Sequence, residues 1–167
     1  MSPAATPRPA RSAVLLTHTH PEQTSDAVRA TIAAAAAAGC RLHGPSDELA
    51  KHGEAATGLE PLSELEREPD VCIVIGGDGT ILRALGTYAG TAVPVFGVNF
   101  GTVGFLAAIE REELAGGIER ALAGDFEVMS MPGLEAGIEG DQVRLSANGD
   151  AAVLLEEEKS GAALGED

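Results

Sequence analysis

Val71-Cys72-Ile73-Val74-Ile75-Gly76-Gly77-Asp78-Gly79-Thr80 decides the architecture of this chain. Its five leading apolar residues, mostly β-branched, predict a strand buried on both faces, as in a parallel sheet. The run passes directly into three glycines and one carboxylate, and residues 80–89 then carry a helical pattern. A turn from buried strand to helix calls for glycine, for positive φ and for close backbone approach, and the first helical turn presents unpaired N–H groups. Such a loop can hold a phosphate without a lysine. An aspartate among those donors opposes an anionic ligand. Asp78 therefore makes chemical sense either as a Mg²⁺ ligand or as the base that takes a proton from an attacking hydroxyl.

Working outward, residues 13–17 form another short apolar run, residues 22–38 are rich in helix formers and closed by Gly39, and residues 40–42 read as a further strand. Residues 45–69 turn polar and Gly-rich, a surface connection with short helices expected at 47–52 and 62–67. Residues 93–98 are the next strand, with Pro94 tolerable only near its start or on an edge, and residues 110–123 a helix closed by Gly124. This alternation predicts the α/β class: a Rossmann-like parallel sheet flanked by helices over residues 12–125, with ligands at the carboxyl ends of the strands. Past residue 126 the helices cease. Residues 126–131, 134–138, 143–147 and 151–155 read as short strands, the start of an antiparallel β domain over 126–155. Disorder is expected for the Pro- and Ala-rich start, residues 1–11, and for the acidic tail, residues 156–167, whose Glu156-Glu157-Glu158 run is solvated.

The chain has 167 residues, about one domain, and is 44% hydrophobic, enough for a real core. With 3% aromatics and no Trp, that core is built from Ala, Val, Leu and Ile. A formal net charge of −15 argues against nucleic acid and against a membrane surface as partners. It also means that an anionic ligand must be met by backbone N–H groups and a divalent cation, because only eleven Lys and Arg are present. No run approaches the ~18 apolar residues of a membrane span, and the start lacks the apolar core of a signal peptide. A reducing cytoplasm is expected, with Cys40 and Cys72 as buried small hydrophobes. His43 and His52 have no metal-ligand spacing with any partner, so no protein-built metal site is expected. His18 and His20 read as an exposed turn at a strand end, where a nucleotide contact is the sharper alternative.

Two stretches carry a resemblance. Gly76-Gly77-Asp78-Gly79-Thr80-Ile81-Leu82-Arg83-Ala84, followed by Gly97-Val98-Asn99-Phe100-Gly101-Thr102-Val103-Gly104-Phe105-Leu106, resembles the two N-terminal signatures of NAD kinases, in order and at the family's separation. The resemblance implies Mg²⁺-dependent transfer of a terminal phosphate, from ATP or polyphosphate, to the 2′-hydroxyl of the adenosine ribose of NAD, giving NADP. It implies Asp78 as the base, phosphate and nucleotide contacts from Gly76, Gly77, Gly79, Thr80 and Arg83, and NAD contacts from Asn99, Phe100, Gly101, Gly104 and Phe105. Homo-oligomers are typical of the family. Diacylglycerol and sphingosine type lipid kinases share the first loop but lack the second segment. Phosphofructokinases, with a similar Gly-Gly-Asp turn, need a longer chain and abundant Arg.

The family's third signature, Asn followed by an acid, is met imperfectly by Ala147-Asn148-Gly149-Asp150: Asp150 keeps the acid in register while Gly149 stands where Asn belongs. Asn148 and Asp150 are the candidates there, against a plain Asn-Gly hairpin turn. The β-rich segment that completes the family's NAD pocket is not in the sequence. The competing reading is accordingly a nucleotide-binding fragment that lacks turnover.

Overall fold

Residues 71–75 form the middle of an eight-stranded sheet in a computed structural model of the chain. The structure describes residues 8–18, 20–63, 68–139 and 142–155, without the side chains of 134–139, 142–150 and 153–155. The strands are β1 (Ser12–Thr17), β2 (Arg41–Gly44), β3 (Glu60–Pro61), β4 (Val71–Gly76), β5 (Pro94–Asn99), β6 (Ile109–Glu110), β7 (Glu127–Glu139) and β8 (Gln142–Leu155). The helices are α1 (Ser25–Ala38), α2 (Ser46–His52), α3 (Asp78–Thr87) and α4 (Leu114–Ala123). Strand order is β3-β2-β1-β4-β5-β8-β7, parallel from β3 through β8, with β7 antiparallel at the edge. The α/β reading of the sequence holds.

Alternation along the strands sorts the core into two layers. Val71, Ile73 and Ile75 face the side covered by α1 and α4, packing with Leu15, Val28, Phe96, Val98, Ile118 and Leu122. Cys72 and Val74 face α3, packing with Ile81, Ala84, Leu85, Tyr88 and Val95. Burying each such large aliphatic side chain stabilises the fold by about 1.5–3 kcal/mol. Both cysteines are buried free thiols, and burial, followed by the nearby Asp70 charge, pushes Cys40 up to about 11. Gly39 (φ 66°) and Gly124 (φ 79°) close α1 and α4 in the left-handed conformation that only glycine adopts freely.

Local differences from the sequence reading have physical causes. The helix expected from residue 22 opens instead as a separate 3-10 turn, Pro21–Gln23, before α1. The one expected at 62–67 falls largely outside the described residues, and Leu62 and Ser63 are not helical. The four short strands expected beyond residue 126 are two long ones, paired from Glu127↔Leu155 to Glu139↔Gln142. Asn148-Gly149 therefore lies within β8 and is not a hairpin turn. Register runs from Pro132↔Asp150 to Leu134↔Ala147, so those two residues oppose Gly133 alone in a bulge. Pro132 has no N–H for the ladder, and glycine on both strands tolerates the kink. β8 also lies parallel to β5 (Pro94↔Ala152, Val95↔Val153), while β6 takes the other half of the same β5 edge (Val98↔Ile109). Of the expected disordered start, residues 8–11 are described: Ala10 is buried and donates its N–H to the Leu122 carbonyl at 2.8 Å, and Arg8 pairs with Asp70 at 2.9 Å.

Beneath the carboxyl end of β1 lies a buried polar cluster supplied by α2. The Glu48 carboxylate, with 2% of its side chain exposed, accepts the Thr17 N–H at 3.0 Å, the Thr17 hydroxyl at 2.7 Å and Lys51 Nζ at 2.8 Å. Since the Thr17 hydroxyl gives its hydrogen to Glu48, the 2.7 Å contact with His52 Nε2 is a bond donated by the imidazole. Removing one member of a buried charged cluster leaves the others unpaired and costs about 3–5 kcal/mol. Glu48→Ala should lower unfolding free energy by about that amount in urea titrations, whereas an exposed control, Glu22→Ala, should change it by under about 0.5 kcal/mol.

Burial lowers the pKa of His52, an effect that Glu48 opposes and Lys51 reinforces. The unfolded chain takes up this proton near pH 6.5 and the folded chain only below it, so the unfolded state binds more protons in that window. The contribution of His52 to stability is thus complete above about pH 6.5 and is lost as pH falls toward the folded value. The urea midpoint should fall more steeply between pH 7 and 5 for the native sequence than for His52→Gln. Equal slopes would show that this imidazole does not govern the acid limb.

Candidate phosphate and nucleotide site

The phosphate loop forms where β4 ends. Gly77 caps α3 in an extended conformation, and Asp78 is the first helical residue, where a carboxylate is favoured by the helix dipole. The Thr80 N–H turns back onto the Gly77 carbonyl at 2.9 Å. The Asp78 and Gly79 amides, at the start of that turn, have no acceptor within the helix and remain available to an anion. The glycines are not there for positive φ as the sequence suggested: among the described residues positive φ occurs at Gly39, Gly53, Gly58, Gly90 and Gly124 only. Close approach is what Gly76 provides, whereas a Cβ on Gly79 would meet open space. A Cβ on Gly76 would lie 2.8 Å from Thr80 Oγ1, and one on Gly77 3.4 Å from the Gly101 Cα.

The second glycine segment leaves β5 beside this loop. The Phe100 N–H donates to the Gly76 carbonyl at 2.9 Å. Asn99 is buried, its Nδ2 donating to Glu110 Oε2 at 2.9 Å and its Oδ1 accepting the Gly101 N–H at 2.9 Å. A Cβ on Gly104 would come within 2.6 Å of the Asn99 amide, and one on Gly101 within 3.0 Å of the Gly77 Cα. Asp78 then closes the arrangement: its Oδ1 accepts the Leu106 N–H at 3.1 Å and its Oδ2 the Phe105 N–H at 3.2 Å. Phe100 packs against the core beneath the Arg111 guanidinium, 4.3 Å from its ring centroid, whereas Phe105 is 88% exposed.

The structure thus brings together Gly76, Gly77, Asp78, Asn99, Phe100, Gly101, Gly104 and Phe105. A neighbouring cleft of about 270 Å³ is lined by Gly77, Gly79, Thr80, Arg83 and His18. Asn148 and Asp150 lie on β8, and their side chains fall outside the described residues. His18, read as an exposed turn with a nucleotide contact as the alternative, lines the cleft, and Glu110, taken only as a helix start, escaped the sequence reading: it anchors Asn99 and forms a capping box with Glu113. An acid flanking the second glycine segment was the signal for Glu110; for His18 it was the strand end itself.

The family described as ATP-NAD kinase N-terminal domain matches residues 14–126. The NAD kinase of Cutibacterium acnes is 37% identical over 124 residues, 72% of this chain and 38% of that protein. The NAD kinase of Leifsonia xyli subsp. xyli is 46% identical over 103 residues, 58% of this chain and 33% of that protein. The chain therefore spans about a third of the length of these relatives. Yeast NADH kinase, solved in complex with NADH, superposes with a TM-score of 0.66 at 17% identity, over 84% of this chain and 47% of that one, which shows a shared fold. With its two glycine segments joined through Asp78 and most of its length matched by the family's N-terminal domain, this chain belongs to the NAD kinase family.

Proposed function

We propose that this chain carries the phosphoryl-transfer half of a NAD kinase site, moving the terminal phosphate of ATP or polyphosphate to the ribose 2′-hydroxyl of NAD. The observation that supports it most is the Asp78 carboxylate at the seam of the two glycine segments. A carboxylate has about four acceptor positions, and two are taken by the Phe105 and Leu106 amides. The rest are available to the hydroxyl. The two amides fix the orientation of the group. As the 2′-oxygen forms its bond to the terminal phosphorus and the bridging P–O bond breaks, the hydroxyl proton passes to Asp78 and the shortened phosphate chain leaves.

In this reading the first-turn amides of α3 and Arg83 receive phosphate oxygens, and the exposed Phe105 ring offers a stacking surface to the adenosine. Among the described residues no group of three or more His, Cys, Asp or Glu is placed to hold a metal. Mg²⁺ would then arrive on the phosphates and keep most of its waters, while Asp78 serves the hydroxyl. Bound so, Mg²⁺ would neutralise charge developing on the phosphate chain. Among the described residues no helix is long and apolar enough to cross a membrane. We place the reaction in a reducing cytoplasm, in keeping with the two free thiols.

Asp78→Asn should lower NADP formation from NAD, ATP and Mg²⁺ by about 10²–10⁴-fold, the range for losing a general base, with NAD affinity retained. Nucleotide binding with no NADP formed by the unaltered chain would sink the phosphotransfer reading and leave a binding unit. Gly101→Ala should push the two segments apart, speed hydrogen exchange at the Phe105 and Leu106 amides, and lower turnover by about 100-fold through misplacement of Asp78 by about an ångström. Unchanged exchange at those two amides would rule out that route.

A further inference from the structure

The cleft beside the phosphate loop contains a side chain to which the proposed reaction assigns no role. His18 directly follows β1, and its position is fixed from three directions. Its N–H donates to the Ile75 carbonyl at 2.9 Å, joining it to the strand that enters the phosphate loop. The residue before it, Thr17, is clamped through N–H and hydroxyl by Glu48 and through its carbonyl by Lys51 at 3.3 Å. The His20 N–H donates to His18 Nδ1 at 3.2 Å, and the two rings lie 5.0 Å apart. A nitrogen that accepts a hydrogen bond carries no hydrogen, so the imidazole hydrogen of His18 sits on Nε2. His18 lines a cleft whose other described side chains are Thr80 and Arg83. Asp78 holds its carboxylate toward Phe105 and Leu106.

The size of the cleft limits its occupant. At about 270 Å³ it falls short of the ~300 Å³ at which whole small-molecule sites begin, yet it has room for a short chain of phosphates. Its described lining offers loop amides, a hydroxyl, a guanidinium and one imidazole.

We propose that His18, through Nε2–H, is a ligand of the donor's phosphate chain in this cleft, alongside Arg83. The inference rests on the phosphotransfer reading for the identity of the donor but not for the binding itself. Recognition is of the phosphates alone, so a nucleoside is not required for occupancy.

The test is calorimetry on the full chain with inorganic tripolyphosphate and, separately, ATP, both with Mg²⁺, together with the histidine ring signals in proton NMR. The unaltered chain should bind both, and each should shift the His18 signal, assigned by its loss in His18→Ala. His18→Ala should weaken both ligands about tenfold or more, as expected for a lost bond to a charged group, and leave NAD affinity unchanged. His18→Gln, which keeps an N–H donor, should recover most of the loss. Should the alanine variant fail to fold, His18→Gln and His18→Asn provide the comparison, with Asn, too short to reach, weakened and Gln not. Equal affinity in all variants, an unmoved His18 signal, no binding of either ligand, or binding of ATP without tripolyphosphate would each overturn the inference. NADP formation with affinity independent of His18 removes this inference and spares the phosphotransfer reading; His18-dependent binding without NADP does the reverse.

Discussion

The site depends on one carboxylate that holds two loops together. Asp78 accepts the amides of Phe105 and Leu106 across a sequence separation of 27 and 28 residues. Those bonds need the loops to touch, and they touch because Gly101 has no side chain, where a Cβ would lie 3.0 Å from the Gly77 Cα. The sheet provides the platform. β4 and β5 lie side by side in parallel register with Gly76 opposite Asn99, so both segments leave the sheet at the same level. A charge-assisted bond from backbone to carboxylate is stronger than a neutral one, which suits a contact that holds a reactive group in place.

The same economy of side chains recurs one layer deeper. A Cβ on Gly97 would lie 2.6 Å from Ile81 Cδ1, so a bare strand residue lets α3 settle onto β5. The N-terminus of that helix is the end to which the proposed reaction assigns the phosphates. Packing beneath the sheet surface therefore determines where the first-turn amides point. Asn99 contributes from the other side. Buried and held between Glu110 and the Gly101 amide, it sets the path of the second segment as much as it offers atoms to a ligand.

Much of this was legible from local pattern. A buried apolar run entering Gly-Gly-Asp-Gly-Thr can be read without tertiary information, and so can the strand ending at Asn99, because both signals lie within a dozen residues. What could not be read depends on closure between distant segments. Glu48 belongs to a polar stretch that looks like surface; only when α2 folds under β1 does it meet Thr17, 31 residues away. His18 looked exposed for the same reason, since its cleft is made by residues some sixty positions later. The antiparallel strands were cut too short because Pro132, Gly133 and Asn148-Gly149 are ordinary breakers in a one-dimensional reading. Paired across the ladder they accommodate one another as a bulge. Glycine at the phosphate loop misled in the opposite direction: its presence was read correctly and its conformation was not, because small size and left-handed backbone both select the same residue.

A net charge of −15 opposes polyanions and the loop amides attract them, but the two effects act over different ranges. The diffuse surface charge is screened within about 8–10 Å at physiological salt. Backbone amides at a helix N-terminus act at hydrogen-bond distance, where screening by salt has little purchase. The local arrangement also segregates the signs. The cleft edge carries Arg83 and the His18 donor, while the Asp78 carboxylate is turned to the second segment and engaged by two amides. An anion entering beside the loop thus meets donors first, and the negative group that could repel it is oriented toward the position a hydroxyl would occupy. In the proposed reaction, that separation would let one short loop serve both a phosphate chain and the base that activates its acceptor.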